Sequence, residues 1–274
     1  EQLTDWVFTE LEERDSIFGI PRQSFFMPSA SDRFRIKKYG QLLETPFGVA
    51  AGPHSQMAQN IIVSWLVGAR FIELKTIQTL DELDVNKPCI DIEDEGYNVE
   101  WSQELKVYES FDEYLRAWVL IHALHDKLGF PGERPGMIFN MSVGYDLAGI
   151  KQPNVQWYLE TMADASAYKQ AYVDIVAARY PQVRDLDIPD TVSDTITLST
   201  MHGCPPDEIE AIAMYLMAER GIHTSVKCNP TLLGAESVRG IVNDELGFVD
   251  IPVPDEAFGH DLKYVDAVPM FHNL

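Results

Sequence analysis

Within the stretch "TLSTMHGCPP", residues 197–206, Thr200, His202 and Cys204 bring a hydroxyl, an imidazole and a thiol into one short bend between two apolar stretches. Such groups hold and move protons in catalysis, and a bend of this composition is a poor recipe for a core. Two lysines stand elsewhere in the chain, Lys75 at the end of "FIELK" and Lys227 in "SVKCNP", each closing an apolar run. A buried ammonium without a partner shifts its pKa or destabilises the fold, so each lysine should meet something anionic or electron-rich. Two inward lysines on different strands can surround one planar, electron-accepting ligand and stabilise negative charge building on it. The plainer alternative is a pair of structural ion pairs with the chain's many acids.

The elements that would position these residues alternate. "TPFGVAAGP" (45–53), "RFIELKT" (70–76), "GMIFNMS" (136–142), "DTITLST" (194–200) and "HTSVKCNP" (223–230) read as strands, with "GFVDIPV" as a further candidate. Apolar residues recur at helical spacing over 56–69, 110–129, 154–180, 206–220 and 234–246. Ser110 and early acids mark one start and Gly129 its stop. Strands each followed by a helix predict parallel pairing with right-handed crossovers. The first strand lacks the second and third glycines of a dinucleotide fingerprint. Polar residues cluster instead at strand C-terminal ends, where a (β/α)8 barrel builds its site. The expected fold class is therefore α/β, a TIM (β/α)8 barrel whose last strands are missing. A helix and cap over 1–35 precede a partial barrel over 36–274.

Composition narrows the partners. Lys and Arg number 21 against 43 Asp and Glu, a formal charge of −22 that repels phosphate backbones and anionic membrane surfaces. Neither nucleic acid nor membrane is an expected partner. Cys89, Cys204 and Cys228 stand far apart, which matches no disulfide framework or zinc spacing and suits a reducing cytoplasm. The acidic segment 89–104 lacks the ligand pattern of a calcium loop, so no metal is expected and it reads as a loop over the barrel mouth.

In order and spacing, "TPFGVAAGP", "FIELKT", "YNVEWS", "FNMSVG", "TLSTMHG" and "VKCNPT" resemble the FMN-binding barrel of dihydroorotate dehydrogenase and the equivalent domain of dihydropyrimidine dehydrogenase. Longer stretches, among them "FNMSVGYDLAGIKQP" and "TLSTMHGCPPDEIEAI", are similar to the N-terminal region of YgfK-type proteins, described as selenate reductase subunits and built as iron-sulfur flavoprotein-like oxidoreductases. The resemblance covers most of residues 15–274 and is weakest across 160–192. It implies that Ala50, Ala51 and Gly52 line FMN by close backbone contact, and that Lys75 and Lys227 face its ring. It also implies that Asn98 binds the ring or the substrate, with Asn140 and Asn229 nearby. Iron-sulfur clusters and NAD(P)H or FAD are implied only for further domains or a partner subunit. The substrate would be a small oxidised molecule, an N-heterocycle or a selenate-like ion.

The dehydrogenases read "NLSCPHG" where this chain reads "TLSTMHG". Their cysteine falls on Thr200, their asparagine on Thr197 and the His-Gly pair on His202 and Gly203, while Cys204 comes four residues late. Proton transfer would then use Thr200, His202 or Cys204, and the dihydropyrimidine or dihydroorotate substrate does not carry over. The threonine also supports a rival reading, a non-catalytic scaffold or electron-transfer barrel. A Schiff-base enzyme using Lys75 or Lys227 is a third. The glycine-rich phosphate loops of the resembling barrels have no counterpart within 1–274.

Overall fold

The computed structural model describes residues 1–80, 105–200, 204–259 and 261–274, and the backbone of two paired segments, Ile90–Asp91 and Asn98–Val99. Five strands lie side by side, all parallel: β1 (Gly48–Val49), β2 (Phe71–Glu73), β3 (Ile138–Val143), β4 (Thr195–Ser199) and β5 (His223–Lys227). Their order across the sheet is their order in the chain. A doubly wound sheet reverses once, at its switch point; this one never does, so every crossover advances the same way around an arc. That monotonic order is barrel topology.

Helices cover the outer face. The chain begins with α1 (Gln2–Arg14), α2 (Ala58–Leu66) follows β1, α3 (Val107–Leu128) precedes β3, and α4 (Pro153–Ala163) and α5 (Ser166–Ala177) fill the β3–β4 crossover. Next come α6 (Ile209–Met214), α7 (Ala235–Arg239) and α8 (Tyr264–Asn273). Ile72, Met141, Val143, Ile196 and Leu198 point outward from the strands and share one core with Trp65, Leu115 and Ile212 of the helices. α1 joins that core through Val7, Phe8 and Leu11, with Phe8 stacked on Tyr180 at 5.9 Å.

A hairpin closes the N-terminal end of the arc. Ile36–Lys38 pairs with Gln41–Leu43 through Tyr39 and Gly40, both at positive φ (53° and 78°), the geometry of a tight two-residue hairpin turn. The Tyr39 and Ser225 hydroxyls lie 2.7 Å apart, and Gln41 Nε2 donates to Asp194 Oδ1 at 2.7 Å.

Several expected boundaries move. Helix α3 starts at Val107, because the Glu109 carboxylate accepts the Lys106 backbone N–H and caps the turn, leaving Ser110 buried inside the helix. Its stop is Gly129, at φ 72°. No strand forms over 247–253: Pro252 and Pro254 offer no ladder donor, and Asn243 Nδ2 holds the Phe248 and Ile251 carbonyls in a turn. Among the described residues no helix is long and apolar enough to cross a membrane.

Candidate functional site in the barrel lumen

The inward faces of the strands are polar. On β4, Thr195, Thr197 and Ser199 alternate with the core residues Ile196 and Leu198, and on β3, Asn140 and Ser142 alternate with Phe139 and Met141. Barrel interiors are ordinarily dominated by Val, Ile and Leu. Here the period-two rule runs with the polar set facing in.

Barrel shear decides which of these residues meet. Glu73 is in register with Asn140, Thr197 with Ser142 and Ser225, and Ser199 with Lys227. A TIM barrel advances about one residue per strand, so equal height is reached progressively later along each strand. Glu73 and Thr197 then share a layer, Asn140 and Ser225 lie one layer toward the N-terminal end, and Ser142 and Lys227 one layer toward the C-terminal end. The contacts agree. Asn140 Nδ2 donates to Thr197 Oγ1 at 2.8 Å, and Lys227 Nζ donates to Glu73 Oε1 at 2.8 Å from three strands away. Ala50, Glu73, Thr197, Ser225 and Lys227 line a cavity of about 530 Å³, which Lys38 of the hairpin also reaches.

Asn140 carries the most specific signal. It is fully buried, and Nδ2 also donates to the Met141 carbonyl at 2.9 Å. A carbonyl only accepts, so the amide orientation is fixed. Its Oδ1 is then a buried acceptor with no donor among the described residues. Such an atom costs about 1–3 kcal/mol, which a ligand N–H or O–H would recover.

The other expected residues are placed variously. Ala50 lines the cavity, as Lys227 does. Gly52 begins the following turn, its N–H bonded to Ser55 Oγ at 3.1 Å; a Cβ there would stand 2.7 Å from the His54 ring, so the glycine makes room for His54. Lys75 is buried and itself engaged, but it does not line this cavity. Glu73 pairs with Asn140 and Ile77 with Val143, so β2 spends one extra residue between them, and Lys75 sits in that bulge. Thr200 Oγ1 donates to the Lys227 carbonyl at 2.9 Å, pinning the end of β4 to β5. Asn229 is half-buried at the start of the helical turn Pro230–Leu233. His202 and the Asn98 side chain lie outside the described residues, as does most of the acidic segment.

Cys204 packs in the core, and its thiol is pushed up to about 12, first by burial and then by Glu208 and Asp146. A thiol so raised is almost entirely protonated near neutrality, a poor base and a poor nucleophile. Iodoacetamide should modify Cys204 at least about thirtyfold more slowly than an ordinary thiol near pH 8. Peptide mass spectrometry showing ordinary alkylation there would reveal a stabilised thiolate.

Glu73 and Ser225 were not among the residues singled out from the sequence. The reversed alternation on β3 and β4 was the available clue to a polar lumen, but the Glu73 partner was not legible.

A family model described as oxidoreductase YgfK, N-terminal TIM-barrel domain, matches residues 18–274. The chain belongs to the YgfK family. It is 45% identical, over 293 aligned residues and its whole length, to YgfK of Escherichia coli strain K12, and to the same extent to that of E. coli O157:H7. It spans 28% of the length of these curated relatives. A solved structure, ligand-free type DHODH from Eimeria tenella, is similar at a TM-score of 0.40 and 14% identity, covering 87% of this chain and 71% of that one. That likeness is too slight to argue from. The family match and the monotonic parallel arc together establish an oxidoreductase-family TIM barrel, and the lumen is the place to look for a YgfK site.

Proposed function

We propose that this YgfK barrel holds FMN in its lumen and works as the flavin domain of a larger oxidoreductase. The observation that carries the reading is the polar cavity lined by Ala50, Glu73, Thr197, Ser225 and Lys227, behind which the fully buried Asn140 holds Thr197. The residues fit a flavin. The cavity volume falls within the roughly 300–1,000 Å³ of small-molecule pockets. Lys227 would donate to a ring acceptor, Thr197, held from behind by Asn140, would meet a polar edge of the ring, and Ala50 is small enough for close approach. Bound FMN would supply two-electron transfer.

The remaining parts of the reading are proposals of the same kind. Iron-sulfur and NAD(P)H or FAD sites would lie in the rest of a YgfK-length protein or on a partner. Further strand–helix units would pair with the free edges of β1 and β5, since exposed parallel edges are rare in stable folds. The substrate would be a small oxidised molecule, an N-heterocycle or a selenate-like ion, and the setting cytoplasmic.

FMN titration of the purified full-length protein, followed by flavin fluorescence, tests the central claim. Wild type should bind and show the flavin visible band; Asn140→Ala, with an unchanged circular dichroism spectrum, should bind about tenfold more weakly. A colourless protein that leaves FMN fluorescence untouched would sink the reading.

A second reading, an electron-transfer barrel without proton chemistry, is favoured by the tied Thr200 hydroxyl and the raised Cys204 thiol. It expects flavin reoxidation rates that do not respond to Thr200→Val.

A further inference from the structure

Lys227 ends β5, an edge strand in this arc, and its side chain is 41% exposed. A lysine stem rotates freely about several bonds, and the surrounding chain offers 43 acids that could draw the ammonium outward. It nevertheless lies inside the lumen. The backbone does not place it there, because strand geometry sets only the direction of Cβ. What reaches it is Glu73, whose side chain is 11% exposed and stands on β2, three strands away. Among the described residues, Lys227 is the one cation paired with Glu73. A carboxylate that secluded is costly without its partner, so the pair is held chiefly from the Glu73 side.

We propose that Glu73 is a positioning residue, whose carboxylate holds the Lys227 ammonium in the lumen at the height where the ligand is met. The holding is a property of the ion pair alone; its consequence for FMN rests on the proposed function. Glu73 acts through Lys227 and needs no contact with the flavin.

Two measurements on the full-length protein separate these levels. In flavin-free protein, pulse acetylation of amines read by peptide mass spectrometry should show Lys227 protected in wild type, about tenfold faster in Glu73→Gln, and protected again in Glu73→Asp, while the other lysines keep their rates. In FMN titrations, Glu73→Gln and Lys227→Met should each weaken binding by a similar factor, about tenfold. The double variant should be no weaker than Lys227→Met alone, as non-additivity requires of residues acting as one unit. Lys227 labelling that ignores Glu73 overturns the proposal. So do multiplicative losses in the double variant, which would make Glu73 an independent contact. If labelling follows Glu73 but wild type binds no FMN, the positioning stands and the flavin reading falls.

Discussion

Arg70→Met should cost about 3–5 kcal/mol of stability, the largest single loss expected outside the lumen. Arg70 is completely buried at the foot of β2. Its Nε donates to Glu44 Oε2 at 2.5 Å, and Nη1 donates to the carbonyls of Trp65 at 2.6 Å and Ala69 at 3.0 Å. Burial pulls the guanidinium's pKa down, and the Glu44 carboxylate opposes that pull. One side chain therefore ties the end of α2, the start of β2 and the segment leading to β1, while Glu44 N donates to the Gly136 carbonyl ahead of β3. Removing the arginine would strand a carboxylate that is 2% exposed. Urea denaturation measures the loss, and Arg70→Met combined with Glu44→Leu should recover most of it, because the penalty is the unpaired charge and not the missing attraction. A single-variant change below about 1 kcal/mol would show that water reaches Glu44.

The second large effect is acid sensitivity centred on His122. The imidazole is buried on α3, with Nδ1 2.8 Å from the Trp118 carbonyl. Its pKa is pushed down to about 4, first by burial and further by His125, Arg134 and Lys169, against the opposing hydrogen bond to Trp118. His125 is lowered as well, again by burial first. In the unfolded chain His122 takes a proton near its ordinary value of 6.5, while the folded site refuses it until about 4. The unfolded state thus binds more protons across this window, so the contribution is full above the window and is lost as pH falls through it. The whole loss is about 3 kcal/mol, of which about 2 kcal/mol should appear between about pH 7 and about pH 5. Urea midpoints at the two pH values measure it, and His122→Gln should remove most of the difference. An unchanged slope in that variant would assign the acid sensitivity to carboxylates instead.

Much of the frame was legible because it is local. Outward Ile196 and Leu198 against inward Thr195, Thr197 and Ser199 is a period-two pattern, and a short apolar run followed by a helical one reads as a βα unit wherever it occurs. Gly129 stops α3 because a left-handed turn suits glycine. The 247–253 segment misled for an equally local reason: its apolar letters resemble a strand, but two prolines and the Asn243 amide favour a turn. The Tyr39–Gly40 hairpin went unread because a bulky residue at positive φ is uncommon.

By itself the sequence determined that strands and helices alternate, that the alternation implies parallel pairing, and that Asn140 and Lys227 stand toward the C-terminal ends of strands. Which polar groups meet was decided only by the tertiary structure. Glu73 and Lys227 are 154 residues apart, and Asn140 and Thr197 are 57 apart. Their contacts follow from how far each strand advances on its neighbour around the arc. That stagger belongs to the curvature of the whole sheet, and no local window of residues encodes it.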